Sequence, residues 1–175
     1  MRLLTILAAS ATMSFAPPLV AQAAAVPDFK PLEFLVGHCW IGTFPNGKQT
    51  DEHCFEWVFD RKFIRDHHAV RDVASPAAKY QGETLYGWDA MEKHLAYWYW
   101  NSDGQMITGT VAYEGNDIVF PGRYDTPKGP VDLKAVWTPL VDGYRVSQSQ
   151  RAGSEWTPLW TMTLKATSRD RKSVV

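Results

Sequence analysis

The sequence predicts an all-β protein, a single antiparallel up-and-down β-barrel of about ten strands. Three observations point to it. Apolar and aromatic runs of roughly ten residues recur from residue 38 to residue 167, each closed by a cluster of Gly, Asn, Asp or Pro. The breaks between them are shorter than the dozen or more residues that a parallel crossover needs. Helical periodicity is absent apart from a turn or two at 30–36. The strands are expected at 38–45, 49–59, 63–73, 80–89, 94–101, 105–114, 116–124, 130–138, 143–151 and 156–167. As one flat sheet this meander would leave two open edges, and closing on itself removes both.

The chain begins with one charge, Arg2, an apolar run LLTILAASATMSF, and small residues ending in Ala21-Gln22-Ala23, which is the three-part pattern of a secretory signal peptide. Residues 1–25 are read as that segment, since an apolar stretch of about 13 residues is short of the roughly 20 that span a bilayer. No membrane span is expected after cleavage. The barrel domain is then 26–168, with 169–175 (RDRKSVV) a disordered tail lacking turn or period. Loss of Arg2 leaves 17 basic against 19 acidic residues, a net charge of −2 with the signs interspersed. Nothing in that pattern tracks a phosphate backbone, so nucleic acid is not an expected partner.

The first hairpin is written by Pro45-Asn46-Gly47-Lys48 between two strand-like runs, Asn-Gly being the strongest short signal for a type I′ turn. A two-residue turn there pairs Cys39 with Cys54, Trp40 with His53 and Gly42 with Asp51. Two cysteines meeting across one ladder in an exported chain predict a disulfide, although a two-residue turn puts them on a hydrogen-bonded pair with Cα atoms about 5.5 Å apart. Alternation places Trp40, Gly42, Phe44, Asp51, His53, Phe55, Trp57 and Phe59 on one face, taken as the interior.

The second hairpin gathers polar groups. A three-residue loop, Asp60-Arg61-Lys62, pairs Trp57 with Arg65, Phe55 with His67, His53 with Ala69 and Asp51 with Arg71, bringing Arg65, His67 and Arg71 inside. One residue more or less in that loop reverses the parity and brings in Asp66, His68 and Val70. Both parities of 95–100 (LAYWYW) are apolar or aromatic, and Trp98 and Trp100 are taken as cavity residues. Asp51 with Arg71 reads equally as an ion pair at the barrel mouth, and His53 as a hydrogen-bonded core histidine. His94 lies near a turn and is expected in solvent. His67 and His68 are neighbours on a strand, point to opposite faces and cannot share a metal; no metal site is expected. The chain has no Gly-x-Ser-x-Gly and no marked carboxylate pair.

The segment Phe34-Leu35-Val36-Gly37-His38-Cys39-Trp40, Tyr80-Gln81-Gly82 with Tyr86-Gly87-Trp88-Asp89, and Tyr97-Trp98-Tyr99-Trp100-Asn101-Ser102-Asp103-Gly104 resemble the first and central strands of lipocalin-like bacterial exported barrels. The resemblance spans most of the chain after residue 25. It implies a calycin-type barrel, distantly nitrobindin-like and fatty-acid-binding-like, most members of which have no assigned activity. His38 and Cys39 lie between Gly37 and Trp40, where the lipocalin signature is tighter. Nitrobindin-like proteins hold haem on a histidine near the C-terminus; here no histidine follows His94, so no haem or other cofactor is expected.

The functional expectation is an exported, periplasmic or secreted, binding protein. Its cavity, lined by Trp40, Phe55 and Trp57, takes a small apolar or amphipathic molecule, aromatic or anionic ones included, oriented by Arg65, His53 or His67. Asp51, Arg71, Trp98 and Trp100 complete the expected lining. The alternative is an isomerase, cyclase or lyase acting on an aromatic or carbonyl compound in the same cavity, with His53 or His67 as acid or base and Arg65 holding an anion. A third outcome is a barrel filled by its own rings, which a 13 % aromatic content allows. Ligand identity and oligomeric state are not written in the sequence.

Overall fold

The computed structural model describes residues 28–126 and 128–167. The signal-peptide segment and the tail at 169–175 lie outside the described residues. A 3-10 helix, Lys30–Leu35, comes first, with proline at its start where a missing N–H costs nothing. The strands follow in order: β1 Cys39–Thr43, β2 Gln49–Val58, β3 Phe63–Asp72, β4 Ala78–Asp89, β5 His94–Asn101, β6 Met106–Thr110, β7 Ala112–Glu114, β8 Asp117–Thr126, β9 Gly129–Leu140, β10 Gly143–Ala152 and β11 Glu155–Ala166. The run expected at 105–114 is thus broken at Val111 into β6 and β7. Both pieces pair with β8.

Ten strands close the ring. Each pairs with its sequence neighbours, β1 returns to β11 through Trp40↔Ala166 and Gly42↔Leu164, and β6 meets β8 through Thr108↔Arg123 and Gly109↔Gly122. This all-β closed antiparallel barrel agrees with the architecture that the lipocalin-like resemblance implies. At the β6–β8 seam only glycine fits, because a Cβ on Gly109 would lie 2.0 Å from Pro121 O and one on Gly122 would lie 1.9 Å from Tyr97 Oη. Tyr97 occupies the room that the two side chains would take.

The first hairpin has the expected register but a different turn. Phe44 N–H donates to Gln49 O, Gly47 N–H donates to Phe44 O, and only Gly47 of the loop has positive φ, at 70°. The loop is therefore four residues, 45–48, with Gly47 supplying the left-handed conformation. Lengthening a loop from two residues to four leaves every pairing intact, so Cys39 faces Cys54 and Trp40 faces His53. It does exchange hydrogen-bonded for non-hydrogen-bonded pairs. Phe55 N–H now donates to His38 O, and Cys39 and Cys54 fall on the closer, non-hydrogen-bonded site with Cα atoms 4.1 Å apart, joined as a disulfide.

The second hairpin departs from the favoured register. Phe59, Asp60 and Arg61 have φ of 51°, 52° and 62°, and Lys62 N–H donates to Phe59 O. The turn centres on Asp60-Arg61, an even count, so the pairs are Trp57↔Ile64, Glu56↔Arg65, Phe55↔Asp66, Cys54↔His67, His53↔His68 and Asp51↔Val70. Every side chain of β3 is turned over relative to the three-residue loop. Asp66 and His68 are buried inside; Arg65, His67 and Arg71 belong to the outer wall.

One end of the barrel is packed solid. Phe29, Leu32 and Leu35 of the N-terminal segment are buried, each such residue stabilising by about 1.5–3 kcal/mol. Trp40 Nε1–H donates to Leu35 O at 3.1 Å, Phe29 meets Trp57 edge-on at 5.4 Å, and Arg61 lies 4.7 Å over the Trp57 ring. Tyr144, fully buried, packs against Trp40 at 5.6 Å and Trp137 at 5.2 Å.

Two expectations follow for stability. Reducing the disulfide, whose cysteines are 15 residues apart, should lower the unfolding free energy by about 3 kcal/mol, read from urea titrations with and without reductant. Asp60→Gly should raise it by about 1 kcal/mol by relieving a left-handed non-glycine residue; a loss of stability would show that the Asp60 side chain supports the turn.

Candidate functional site

Above the packed floor the barrel is hollow. The cavity measures about 540 Å³, so the barrel is not filled by its own rings. Its walls carry Tyr86, Tyr97, Phe120, Trp137, Val146 and Met162, and it extends toward the end bearing the 45–48 loop, where Phe44, Lys79 and Trp160 stand. Trp40, Phe55 and Trp57 point to the interior face but are built into the floor and its edge, and they do not line this space. Trp98 and Trp100 do not line it either. The pairs Tyr86↔Tyr97 and Thr84↔Tyr99 give β5 the opposite parity, so Tyr97 and Tyr99 face inward while Trp100 is exposed.

A single polar row crosses one wall. On β2, Asp51 and His53 are two residues apart and share the inner face; on β3, Asp66 and His68 do the same. His53 Nδ1 lies 2.8 Å from Asp66 Oδ2, and its Nε2 lies 3.2 Å from Asp51 Oδ2. The other Asp51 oxygen, Oδ1, is 3.0 Å from His68 Nδ1, whose Nε2 is 3.1 Å from the Tyr99 hydroxyl. Tyr99 in turn hydrogen-bonds the Tyr80 hydroxyl. The row thus reads Asp66, His53, Asp51, His68, Tyr99, Tyr80.

Gly82 makes the last crossing possible. It sits on β4 directly between His68 on β3 and Asn101 on β5, and a Cβ there would lie 2.3 Å from His68 Nε2 and 2.5 Å from Tyr99 Cε2. With hydrogen in that place, His68 reaches over β4 to Tyr99.

The charges follow from the hydrogen bonds. Each ring nitrogen of His53 faces a carboxylate oxygen, and a neutral imidazole has only one N–H to give; His53 is therefore an imidazolium donating to both. Burial works against its charge, but the charges and hydrogen bonds of Asp66 and Asp51 outweigh that and hold its pKa well above the usual histidine range. Burial likewise favours protonation of Asp51, yet the charge of His53 and the hydrogen bonds from His53 and His68 prevail and keep it below the ordinary carboxylate range. Burial pushes the Tyr99 and Tyr80 hydroxyls up, so both remain phenols. Asp66 Oδ1 and Tyr144 Oη are buried without a protein partner.

Of the residues expected at the site, Asp51 and His53 are in the cavity wall. Arg65 binds Glu56, and Arg71 Nη1 donates to Glu52 Oε2 at 3.1 Å; neither reaches the interior, and Asp51 pairs with two histidines instead of Arg71. Arg65 and His67 border a separate outer-wall depression of about 280 Å³ beside the disulfide. Asp66, His68, Tyr80 and Tyr99 complete the polar row. The first two were reachable only through the reversed register, and the tyrosines only by recognising that Gly82 opens the path.

Asp51, His53 and His68 offer one ligand atom each within 4.8 Å of one another, a donor set that suits several transition metals. Their orientation does not converge. The two rings stack at 4.6 Å with planes 15° apart, so their in-plane lone pairs run side by side onto separate oxygens of Asp51. Binding one ion through both would require turning a ring and removing the His53 proton. No protein-family model matches the chain, and a search of curated proteins returns no match.

The pH dependence of stability should carry the signature of this row. The raised folded-state pKa of His53 contributes stability that is complete below the unfolded histidine value of about 6.5 and is lost as pH rises through the folded value. The depressed pKa of Asp51 contributes stability present above about 3.9 and lost as pH falls. Urea midpoints should therefore fall as pH rises above about 6.5, while the His53 ring remains protonated by NMR at about pH 7.5. A neutral His53 ring at that pH would contradict the assignment.

Proposed function

We propose that the protein is an exported binding protein whose barrel cavity holds a small amphipathic molecule, its apolar body against the aromatic walls and its polar end on the row from His53 to Tyr80. The observation that carries this reading is the cavity itself: about 540 Å³, inside the range of ligand pockets, with predominantly apolar walls that carry the polar row on β2–β5 and Gln148 and Gln150 on β10. Half-buried Tyr80 and Tyr99 present hydroxyls where a ligand can meet them. Export is supported by the signal-peptide-like start of the sequence and by the disulfide, a cross-link that persists in oxidising compartments. The proposal requires no cofactor and no macromolecular partner.

The test uses N-phenyl-1-naphthylamine, an uncharged fluorescent probe, with Trp137 in the cavity wall as an energy donor. Saturable binding with quenching of tryptophan emission is expected. Ala135→Phe, which adds a ring inside the cavity, should weaken binding at least about tenfold while circular dichroism keeps the β signature. Equal binding by the variant would place the probe elsewhere and remove the cavity from the function.

A further inference from the structure

Resting on the reading that the cavity holds a small molecule, we propose that the ligand carries a weakly acidic hydroxyl, that of a phenol or an enol, and that Tyr80, Tyr99 and His68 form a relay that takes up its proton and holds the ligand as an oxyanion.

The direction of the hydrogen bonds makes the row a conduit. His68 Nδ1–H donates to Asp51 Oδ1 at 3.0 Å, which fixes the tautomer and leaves Nε2 as an acceptor facing the Tyr99 hydroxyl at 3.1 Å. With His68 neutral, Tyr99 donates to Nε2 and Tyr80 donates to Tyr99. The Tyr80 oxygen is then left with lone pairs that seek a donor from the cavity. A ligand hydroxyl supplies it. Its O–H bond breaks and the electron pair stays on the ligand oxygen. Tyr80 receives that proton as its own passes to Tyr99, and the Tyr99 proton passes to His68 Nε2. No proton is gained or lost overall. The row now runs the other way, with Tyr80 O–H donating to the oxyanion and His68 an imidazolium against Asp51.

Geometry favours the transfer. The imidazolium forms against the Asp51 carboxylate, whose Oδ1 lies 3.0 Å from His68 Nδ1, and the negative charge on the ligand oxygen accepts from the Tyr80 hydroxyl. The titratable groups that face His68 are Asp51 and His53 from β2, Tyr80 from β4 and Tyr99 from β5, with Asp66 behind His53. His53 cannot itself take the proton, both its nitrogens already donating. The ligand class follows from acidity. An aliphatic alcohol holds its proton too tightly for an imidazole to remove, and a carboxylic acid arrives already ionised at neutral pH with no proton to give. A phenol suits both the relay and the ring-lined walls of Tyr86, Tyr97, Phe120 and Trp137.

The experiment compares 4-nitrophenol, whose absorption reports its ionisation, with 4-nitroanisole, the same shape without the proton, in buffer below the pH at which free nitrophenol ionises. Wild-type protein should bind nitrophenol about tenfold more tightly than nitroanisole and display the phenolate band. Tyr99→Phe breaks the relay in the middle and His68→Gln removes its terminus; each should lose the phenolate band of bound nitrophenol and bring its affinity down to that for nitroanisole. Tyr99→Phe decides the matter should His68→Gln fail to fold. Nitrophenol bound but neutral in wild type, ionised equally in Tyr99→Phe, or excluded while nitroanisole enters would overturn the relay and leave the cavity reading standing. Exclusion of both together with N-phenyl-1-naphthylamine would overturn the two at once.

Discussion

Carboxylates in the wall of a protein cavity need donors or cations against them, and His53 serves Asp51 and Asp66 at once, at 3.2 Å and 2.8 Å. The arrangement is possible only because β2 and β3 turn matching faces inward, so that two residues from each strand enter one layer of the interior. Removing one partner from such a buried set typically costs about 3–5 kcal/mol, which ties the integrity of this wall to the site it carries. From Asp51 outward the same network acquires its direction, since a carboxylate that accepts from His68 Nδ1 commits the opposite nitrogen to Tyr99.

The barrel divides into a packed half and a hollow half by where its large side chains are spent. Phe29, Leu32 and Leu35 come from outside the barrel wall and fill one end, with Trp40 and Tyr144 interlocked beneath them. In the hollow half the wall is made in part of small residues, Thr84 on β4 and Ala135 on β9, which leaves open space. Trp137 belongs to both halves, packing against Tyr144 below and lining the cavity above. Ring contacts thus continue from the floor into the ligand space. A molecule with an aromatic body would meet there the same edge and face surfaces that the floor residues offer one another.

Much of this was legible in the chain. Strand positions followed from turn residues and aromatic runs, and the first hairpin register survived a misassigned turn because loops of two and four residues are equivalent in pairing. The same reasoning failed on β3 for a physical cause. A turn on Asp60-Arg61 adopts left-handed conformations with no glycine or asparagine to announce them, and one residue of loop length decides which half of IRDHHAVR faces in. Arg65, His67 and Arg71 therefore looked like site residues, while Asp66 and His68 were the alternative. On β5 the sequence was silent because both parities are aromatic, and only pairing with β4 selects Tyr97 and Tyr99. The link from His68 to Tyr99 spans three strands and rests on a missing Cβ, a signal that a glycine in a strand carries but cannot direct without the register.

A β-barrel interior needs no polar groups to be stable, and well-packed apolar residues in place of a buried ionic network are often neutral or stabilising. Six linked polar side chains along one wall, beside a cavity of about 540 Å³, are what the proposed ligand accounts for and folding does not require. Their order sharpens the point. Asp51 and Asp66 are buried against His53, whereas the chain ends toward the cavity in two half-buried phenols. A network serving stability alone has no reason to extend from that ionic cluster through a histidine to two tyrosines. Extended in that way, it links a buried histidine through two hydroxyls to a cavity large enough for a small molecule.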